Sequence, residues 1–435
     1  MAQPVTLAAD AADVLIVGAG PAGATASLFL ADKGIPHTVV DRLQFPRDKV
    51  DGNVFGSKVL AVTAALSDQT LTQAILQSPH LHLCWHGAHI FGDRGSGTRV
   101  LRSNRGTVAQ AGSTAPLVTA PLVTAPSMTA PSMTAPLMTM SRLHFDHLLV
   151  QHLNAEYAQT HFGWEIAEIV RRGDRLQATL RQGERTQVLN PRLIVGADGT
   201  QSIVLKTLGQ QLSGGIRPRQ PETQAIHAYF TGVTGFERDP HVEGHFLRQI
   251  VPGFVYVVPL ANGVVKVGLG SLSRRIERQQ IDLEALFWDL IKNHPRFAPR
   301  FRSAQQVGTV ERWSTRLAIP NSGPLSGDNY LLLGDAASVS NPFTGFGTGN
   351  AMISGQIAAA HIERAIAQQR FDSASLSAYD AELHHQFQSE FTVGLWLHRL
   401  TRYPWFINRL ANSLGVRRWV KRLLPTGNFS PVKAV

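Results

Sequence analysis

The chain has 435 residues, 43% hydrophobic and 17% charged, which supplies a large core and excludes a disordered chain. Forty-one basic and thirty-one acidic residues give a formal charge of +10, and at about 150 residues per domain the length suggests two to three domains. The single cysteine, Cys84, excludes an internal disulfide framework, a redox-active disulfide pair and a cysteine-rich zinc or iron–sulfur site.

In chain order, the N-terminus lacks a basic region followed by an apolar one, so a reduced, cytoplasmic setting is expected. Asp13 to Val17 reads as a short apolar strand. Gly18-Ala-Gly20-Pro21-Ala22-Gly23 follows, then a helical pattern ending near Gly34, then a strand over 38–40 with Asp41 at its end. Strand, glycine turn, helix, strand and acid in this order predict a dinucleotide-binding βαβ unit. The glycines let the backbone approach a pyrophosphate at the helix N-terminus, and the Asp41 carboxylate can accept ribose hydroxyls.

His80, His82, Cys84 and His86 alternate, so in a strand they would share a face. The residue types suit a metal, but no second cluster offers remote ligands at a recognisable spacing, and no metal is assigned. A substrate wall and a plain polar strand face stay open. Residues 114–138 are five tandem copies of Thr-Ala-Pro-x-x, starting at Thr114, Thr119, Thr124, Thr129 and Thr134. A proline every five residues forbids a continuous helix and predicts an extended loop. No segment reads as a transmembrane helix.

Residues 193–199 predict a buried strand ending in Asp198-Gly199, and residues 330–335 another ending in Gly334-Asp335. The second continues through Asn341-Pro342-Phe343-Thr344-Gly345-Phe346-Gly347-Thr348-Gly349 into a small-residue helix over 350–360. Phe254 and Tyr256 lie two apart on a predicted strand, so they share a face that can line an apolar cavity or simply pack. Tyr256 is the candidate proton donor, and Phe343 and Phe346 are candidates to cover a cofactor or a substrate, or simply to pack.

These three signatures, in this order and spacing, resemble the para-hydroxybenzoate hydroxylase superfamily of FAD enzymes. Phe45-Pro46-Arg47-Asp48-Lys49 before Gly52, Pro252-Gly253 through Pro259-Leu260, and Gly-Asp-Ala-Ala…Asn-Pro…Thr-Gly resemble geranylgeranyl reductase-like flavoproteins within it. The resemblance covers roughly residues 13–365. It implies FAD as cofactor, with Gly18, Gly20, Pro21, Ala22, Gly23, Asp41, Arg42, Arg47, Arg142, Asp198, Gly334, Asp335, Gly345, Gly347, Thr348 and Gly349 at its site. There is one dinucleotide fingerprint, so NAD(P)H binds transiently or a ferredoxin-like protein supplies electrons. The chain departs from the reductases twice: Asp51 stands where they commonly have cysteine, and Phe346 where they usually have glutamate. The halogenase segment Trp-x-Trp-x-Ile-Pro is also missing, since residues 254–259 read Phe-Val-Tyr-Val-Val-Pro.

Residues 391–435 hold eight cations and no acid, interleaved with Trp396, Trp405, Phe406 and Trp419, while the rest of the chain carries +2. Such a segment suits an anionic membrane surface; the alternative is a helix packed on the protein's own body. No nucleic-acid motif accompanies it.

The expected fold is α/β: a Rossmann-like, discontinuous FAD-binding domain (1–70, 139–215, 320–370), a smaller α+β substrate domain on an antiparallel sheet (71–138, 216–319), and C-terminal helices in a basic region (371–435). The leading functional expectation is an FAD-dependent reductase of isoprenoid or other lipid-like double bonds. The alternatives are a flavin monooxygenase or halogenase of an aromatic or polyketide substrate, and a non-catalytic flavin-binding membrane partner.

Overall fold

The computed structural model describes residues 13–47, 49, 52–84, 88–91, 97–99, 137–209, 222–237, 240–318, 323–403 and 405–406. Asp48, Asp51, His86, the repeat up to residue 136 and most of the basic tail lie outside the described residues.

Strand Val14–Val17 is buried end to end, as its uninterrupted apolar sequence requires. It pairs in parallel with His37–Asp41 on one side and Leu193–Gly196 on the other. Ala158–Phe162 and Tyr330–Leu332 extend the sheet in parallel, and Ser326–Gly327 closes it as an antiparallel edge. Parallel strands buried on both faces need cover. Helices Pro21–Asp32 and Thr348–Gln368 supply it, together with a three-stranded antiparallel meander over Glu165–Arg172, Arg175–Gln182 and Arg185–Leu189. The sequence reading did not single out this meander. Helix Thr70–Gln77 also sends Leu71 and Ile75 into this core, although the expected division put residues from 71 onward with the substrate. The amphipathic stripe of that helix, not its position in the chain, decides where it packs.

The second large sheet has seven strands, in the order Gln305–Arg316, Glu222–Thr231, Val265–Leu272, Phe254–Pro259, Val242–His245, Ala88–Phe91 and Gly97–Arg99. All its pairings are antiparallel except that of Val242–His245 with Ala88–Phe91. Its residues alternate between two environments. Ile226, Ala228, Val255, Val257, Val267 and Leu269 form a second core with Phe287, Leu290 and Phe301 from the helices behind. The opposite face looks toward the first sheet's loops.

A small sheet, Val54–Phe55, Leu137–Thr139 and His82–Cys84, joins the two halves. Leu137 and Met138 are the last residues of the tandem repeat and are buried strand residues rather than loop. Their pairing with Val54–Phe55 and His82–Cys84 accounts for the difference.

Helix Ser373–Leu400 opens the basic region. Its first half packs Leu376, Tyr379, Leu383 and Phe387 into the first core, and Tyr379 Oη donates to the Leu332 carbonyl at 2.7 Å. Beyond it, Leu397 and Phe406 pack with Phe246 and Val251 from the loop that follows strand Val242–His245. Among the described residues, no helix is long and apolar enough to cross a membrane.

His37 begins the second strand fully buried, with Nε2 2.6 Å from Ser27 Oγ and Nδ1 2.8 Å from the Ile35 carbonyl. Burial lowers its pKa to about 4, against a partial opposing effect of the Ile35 hydrogen bond. Between that value and the ordinary 6.5, the unfolded chain binds the extra proton, so folding stability falls as pH drops. His227 and His398, lowered by burial to about 2 and 4, act in the same sense. Denaturant unfolding at several pH values should show His37 contributing a loss of about 2 kcal/mol from about pH 6.5 to 5. His37→Gln should remove that share of the slope; an unchanged slope would refute the assignment.

Candidate cofactor site and adjoining cavity

Helix Pro21–Asp32 starts at Gly20 with proline in its first turn and no side-chain cap, which leaves its N-terminal dipole facing outward. Helix Thr348–Gln368 starts at Gly347, also uncapped by a side chain. The two helices pack on each other, and their first turns converge: a methyl group on Gly334 would lie 2.9 Å from Ala22 Cβ and 3.5 Å from Ala351 Cβ. Gly23 is needed for close approach, because a Cβ there would overlap the Gly18 carbonyl oxygen. At Gly20 the space is open, with only Arg47 Nη2 within reach, at 3.8 Å.

Asp41 stands beside this turn. Its Oδ2 accepts from the Ala19 N–H at 2.9 Å and from Arg47 Nη2 at 3.3 Å, and its Oδ1 accepts from the Leu43 N–H at 3.0 Å. Arg47 also lies 3.4 Å from Asp146 Oδ2, and its guanidinium carbon sits 4.7 Å from the centre of the Phe45 ring. Its buried Nε has no hydrogen-bond partner. Arg142, the first residue of helix Arg142–Gln151, is buried and clamps Asp146 through Nε and Nη2 at 2.6 and 2.8 Å. Asp335 follows strand Tyr330–Leu332; its Oδ1 accepts from Ser340 Oγ at 2.9 Å, and Lys49 Nζ lies 3.8 Å from Oδ2. Thr348 Oγ1 reaches the Gly52 carbonyl at 3.5 Å, and Gly345 has a left-handed backbone with open space at its Cα.

Three expected residues show contacts of another kind, although the Asp198 backbone abuts Gly18. Arg42 is exposed just past the strand end. Gly349 packs against Lys58. Asp198 accepts from the Ile203 and Val204 N–H groups at 2.7 and 3.4 Å and so holds the start of a short helix. Burial raises its pKa, and its Oδ1 has no partner.

Between the dinucleotide loops and the seven-stranded sheet lies an apolar cavity. Gly52 and Asn53 border it from one side, Phe343 to Thr348 from another, and Phe254, Tyr256, Lys266, Trp313 and Thr315 from the sheet. Phe254 and Tyr256 do share a face, with ring centres 6.2 Å apart. Phe343 stacks on Phe246 at 5.9 Å, and Phe346, Tyr229 and Tyr256 each pack against the buried cluster of Val54, Cys84, Leu137 and Val258. The C-terminal helix completes the wall with His398. His82 and Cys84 sit on the small sheet. Cys84 is fully buried beside Val54, Leu137 and Val258, and burial pushes its thiol up to about 12. His80 stacks on His144 at 3.4 Å.

Sequence reasoning missed Asn53, Lys266, Trp313 and His398. Each looks ordinary in the chain. Lys266 occupies the polar place in a strand of alternating character, and only the covering loops turn that place into a cavity wall. It also missed Lys58, Asn350 and Glu390, and read Asn341 only as part of the third motif. Glu390 is buried; Lys58 Nζ donates to it at 2.6 Å, Asn341 Nδ2 at 2.9 Å and Asn350 Nδ2 at 3.2 Å.

The sequence profile described as the FAD binding domain matches residues 11–389. The chain belongs to this FAD-binding family. It is an FAD-dependent oxidoreductase, and its residues fit the cofactor: two converging helix N-termini without side-chain caps, an open glycine turn, and a buried arginine nitrogen with no partner of its own. Over 411 residues it is 26% identical to the menaquinone reductase of Mycobacterium tuberculosis, covering 92% of this chain and 86% of that one. Over 217 residues it is 30% identical to digeranylgeranylglycerophospholipid reductase 1 of Methanococcoides burtonii, covering 48% of each. In fold it is similar to a geranylgeranyl bacteriochlorophyll reductase-like protein of Thermoplasma acidophilum, with a TM-score of 0.74 at 18% identity over 94% of this chain and 95% of that one. A flavin-dependent brominase is also similar, at a TM-score of 0.70 and 18% identity over 95% and 93%. The expected cofactor, fold class and enzyme type therefore stand.

Asp41→Ala removes the acceptor of two backbone N–H groups and a partner of Arg47. FAD titration followed by flavin fluorescence should show affinity weaker by about ten- to a hundredfold. Unchanged affinity would take Asp41 out of the site.

Proposed function

We propose that the cavity binds an isoprenoid or similarly lipid-like substrate and that the enzyme reduces one of its carbon–carbon double bonds. The observation that carries this reading is the cavity itself: mostly aromatic and aliphatic, and bordered by the same loops that follow the cofactor motifs. The menaquinone reductase and digeranylgeranylglycerophospholipid reductase relatives support it. FAD, when bound and reduced, supplies the hydride for one alkene carbon. The other carbon needs a proton, and we assign its delivery to Tyr256, which faces the cavity. Gly18, Gly20, Pro21, Ala22, Gly23 and Gly334 form the cradle in this reading. Asp41 takes the ribose, Arg47 and Arg142 the pyrophosphate side, and Asp335 a hydroxyl. The first turn of helix Thr348–Gln368, with Gly345 and Gly347 before it, meets the flavin's polar edge. Phe254, Phe343 and Phe346 hold the substrate's apolar body. NAD(P)H or a ferredoxin-like protein serves as transient donor. Residues 139–215 and 320–370, with the N-terminal 70, serve the cofactor; 71–138 and 216–319 serve the substrate. Membership of the two large sheets supports most of that division.

The decisive measurement is anaerobic. With the bound FAD reduced by dithionite, adding a geranylgeranyl lipid should restore the oxidised flavin absorbance without air. Recovery only on admitting oxygen, together with oxygen uptake stimulated by an aromatic substrate, would replace this reading with an oxygenase or halogenase.

We also propose that the end of the C-terminal helix meets an anionic membrane surface from the cytoplasmic side. Tyr403 and Trp405 are 53% and 62% exposed, and Trp396, Arg399 and Arg402 lie on the same stretch. The protein should float with vesicles containing phosphatidylglycerol, and Tyr403→Ser with Trp405→Ser should reduce the bound fraction severalfold. Equal flotation of the double variant would overturn the contact.

A further inference from the structure

The strand Val265–Leu272 alternates strictly. Val265, Val267 and Leu269 enter the core behind the sheet, while Lys266, Gly268 and Gly270 face the cavity side. On a solvated sheet a lysine in that position is unremarkable. Here it is only 3% exposed, on the wall of an apolar cavity. Burying an ammonium group costs several kcal/mol unless something in the site answers it.

Its surroundings hold it rather than let it swing to water. Lys266 Nζ donates to Asn53 Oδ1 at 2.7 Å, and the amide of Asn53 is itself held, since Nδ2 donates to the Met140 carbonyl at 3.3 Å. The ammonium lies 5.8 Å from the centre of the Tyr229 ring and 6.0 Å from that of Tyr256, within cation–π range. Gly268 lets Tyr256 lie where it does, because a Cβ there would overlap the tyrosine ring. Burial and the charge of Lys266 together keep nearby His227 neutral. The outcome is a fixed cation next to Asn53, which with Gly52 borders the cavity.

We propose that Lys266 is the specificity-determining residue of this cavity, selecting an amphiphile that presents an oxyanion, such as a carboxylate, to Nζ while its apolar body lies along Phe254 and Phe246. A charge-assisted hydrogen bond is the strongest polar contact such a cavity offers. A hydrocarbon of equal length has no group to make it. This inference rests on the reading of the cavity as the substrate site and adds the chemistry of the substrate's head.

The test uses the full FAD-loaded protein and three matched prenyl probes: farnesoate, farnesol and farnesene, titrated by calorimetry below their aggregation concentrations. Farnesoate should bind about ten- to a hundredfold tighter than farnesene, with farnesol between. Lys266→Met should erase that preference while leaving farnesene affinity within about threefold and the FAD content intact, and Lys266→Arg should keep part of it. Equal binding of the three probes by the unmodified protein overturns the proposal even if the variant does not fold. So does a preference that survives Lys266→Met, or loss of FAD in that variant with its ligand preference unchanged, which would assign the lysine to the cofactor. Binding of none of the three overturns the cavity reading itself, and this proposal with it.

Discussion

The fold of the site depends on one buried carboxylate. Glu390 is 1% exposed and gathers Lys58, Asn341 and Asn350, three residues from three separate segments. Removing any of these partners would leave charge or polar atoms stranded in a low-dielectric interior, which is far more costly than losing a surface pair. The network therefore fixes the C-terminal helix against the loop that precedes helix Thr348–Gln368. Further along, Gly394 packs on Pro342 and Thr401 Oγ1 reaches the Pro252 carbonyl, continuing the same seam. A helix that would otherwise be an appendage becomes a wall of the cavity.

That arrangement explains how two sheets of different character share one site. The parallel sheet is buried on both sides and delivers its chemistry at its strand ends, where glycine turns leave backbone groups open. The antiparallel sheet has one face in a core and would ordinarily show the other to water. Loops from the first half, and the helix pinned by Glu390, cover that second face instead. Tyrosine, tryptophan, threonine and lysine on it then line the cavity.

Much of the cofactor half was legible in the chain, because its signals are local. Gly18 to Gly23, Asp41 and Gly334-Asp335 occur at strand ends with short, characteristic spacings, and the backbone geometry they need is met within a few residues. Arg142 was legible as a helix start, yet its bond to Asp146 shows it holding another side chain as well. Asp198 was read through resemblance, and its visible bonds are those of a cap. The half that carries the seven-stranded sheet was less legible. Phe254 and Tyr256 follow from period-two alternation, but Lys266 and Trp313 acquire meaning only through contacts across more than two hundred residues of chain, such as Lys266 with Asn53. Glu390 gave no signal either: a lone acid in a helix is most often solvated, and its burial is set by partners that the local pattern does not name.

Cys84 carries a consequence of a different kind. Reduced flavins leak electrons to oxygen, and the peroxide that results attacks thiolates first. The chain's single thiol lies just behind the cavity wall, in the same apolar cluster as Tyr256 and Phe346, yet it is closed from solvent and held in its protonated form. Met138, Met140 and Met352 are likewise shut away. The described sulfur atoms are thus shielded from any peroxide released at the cofactor.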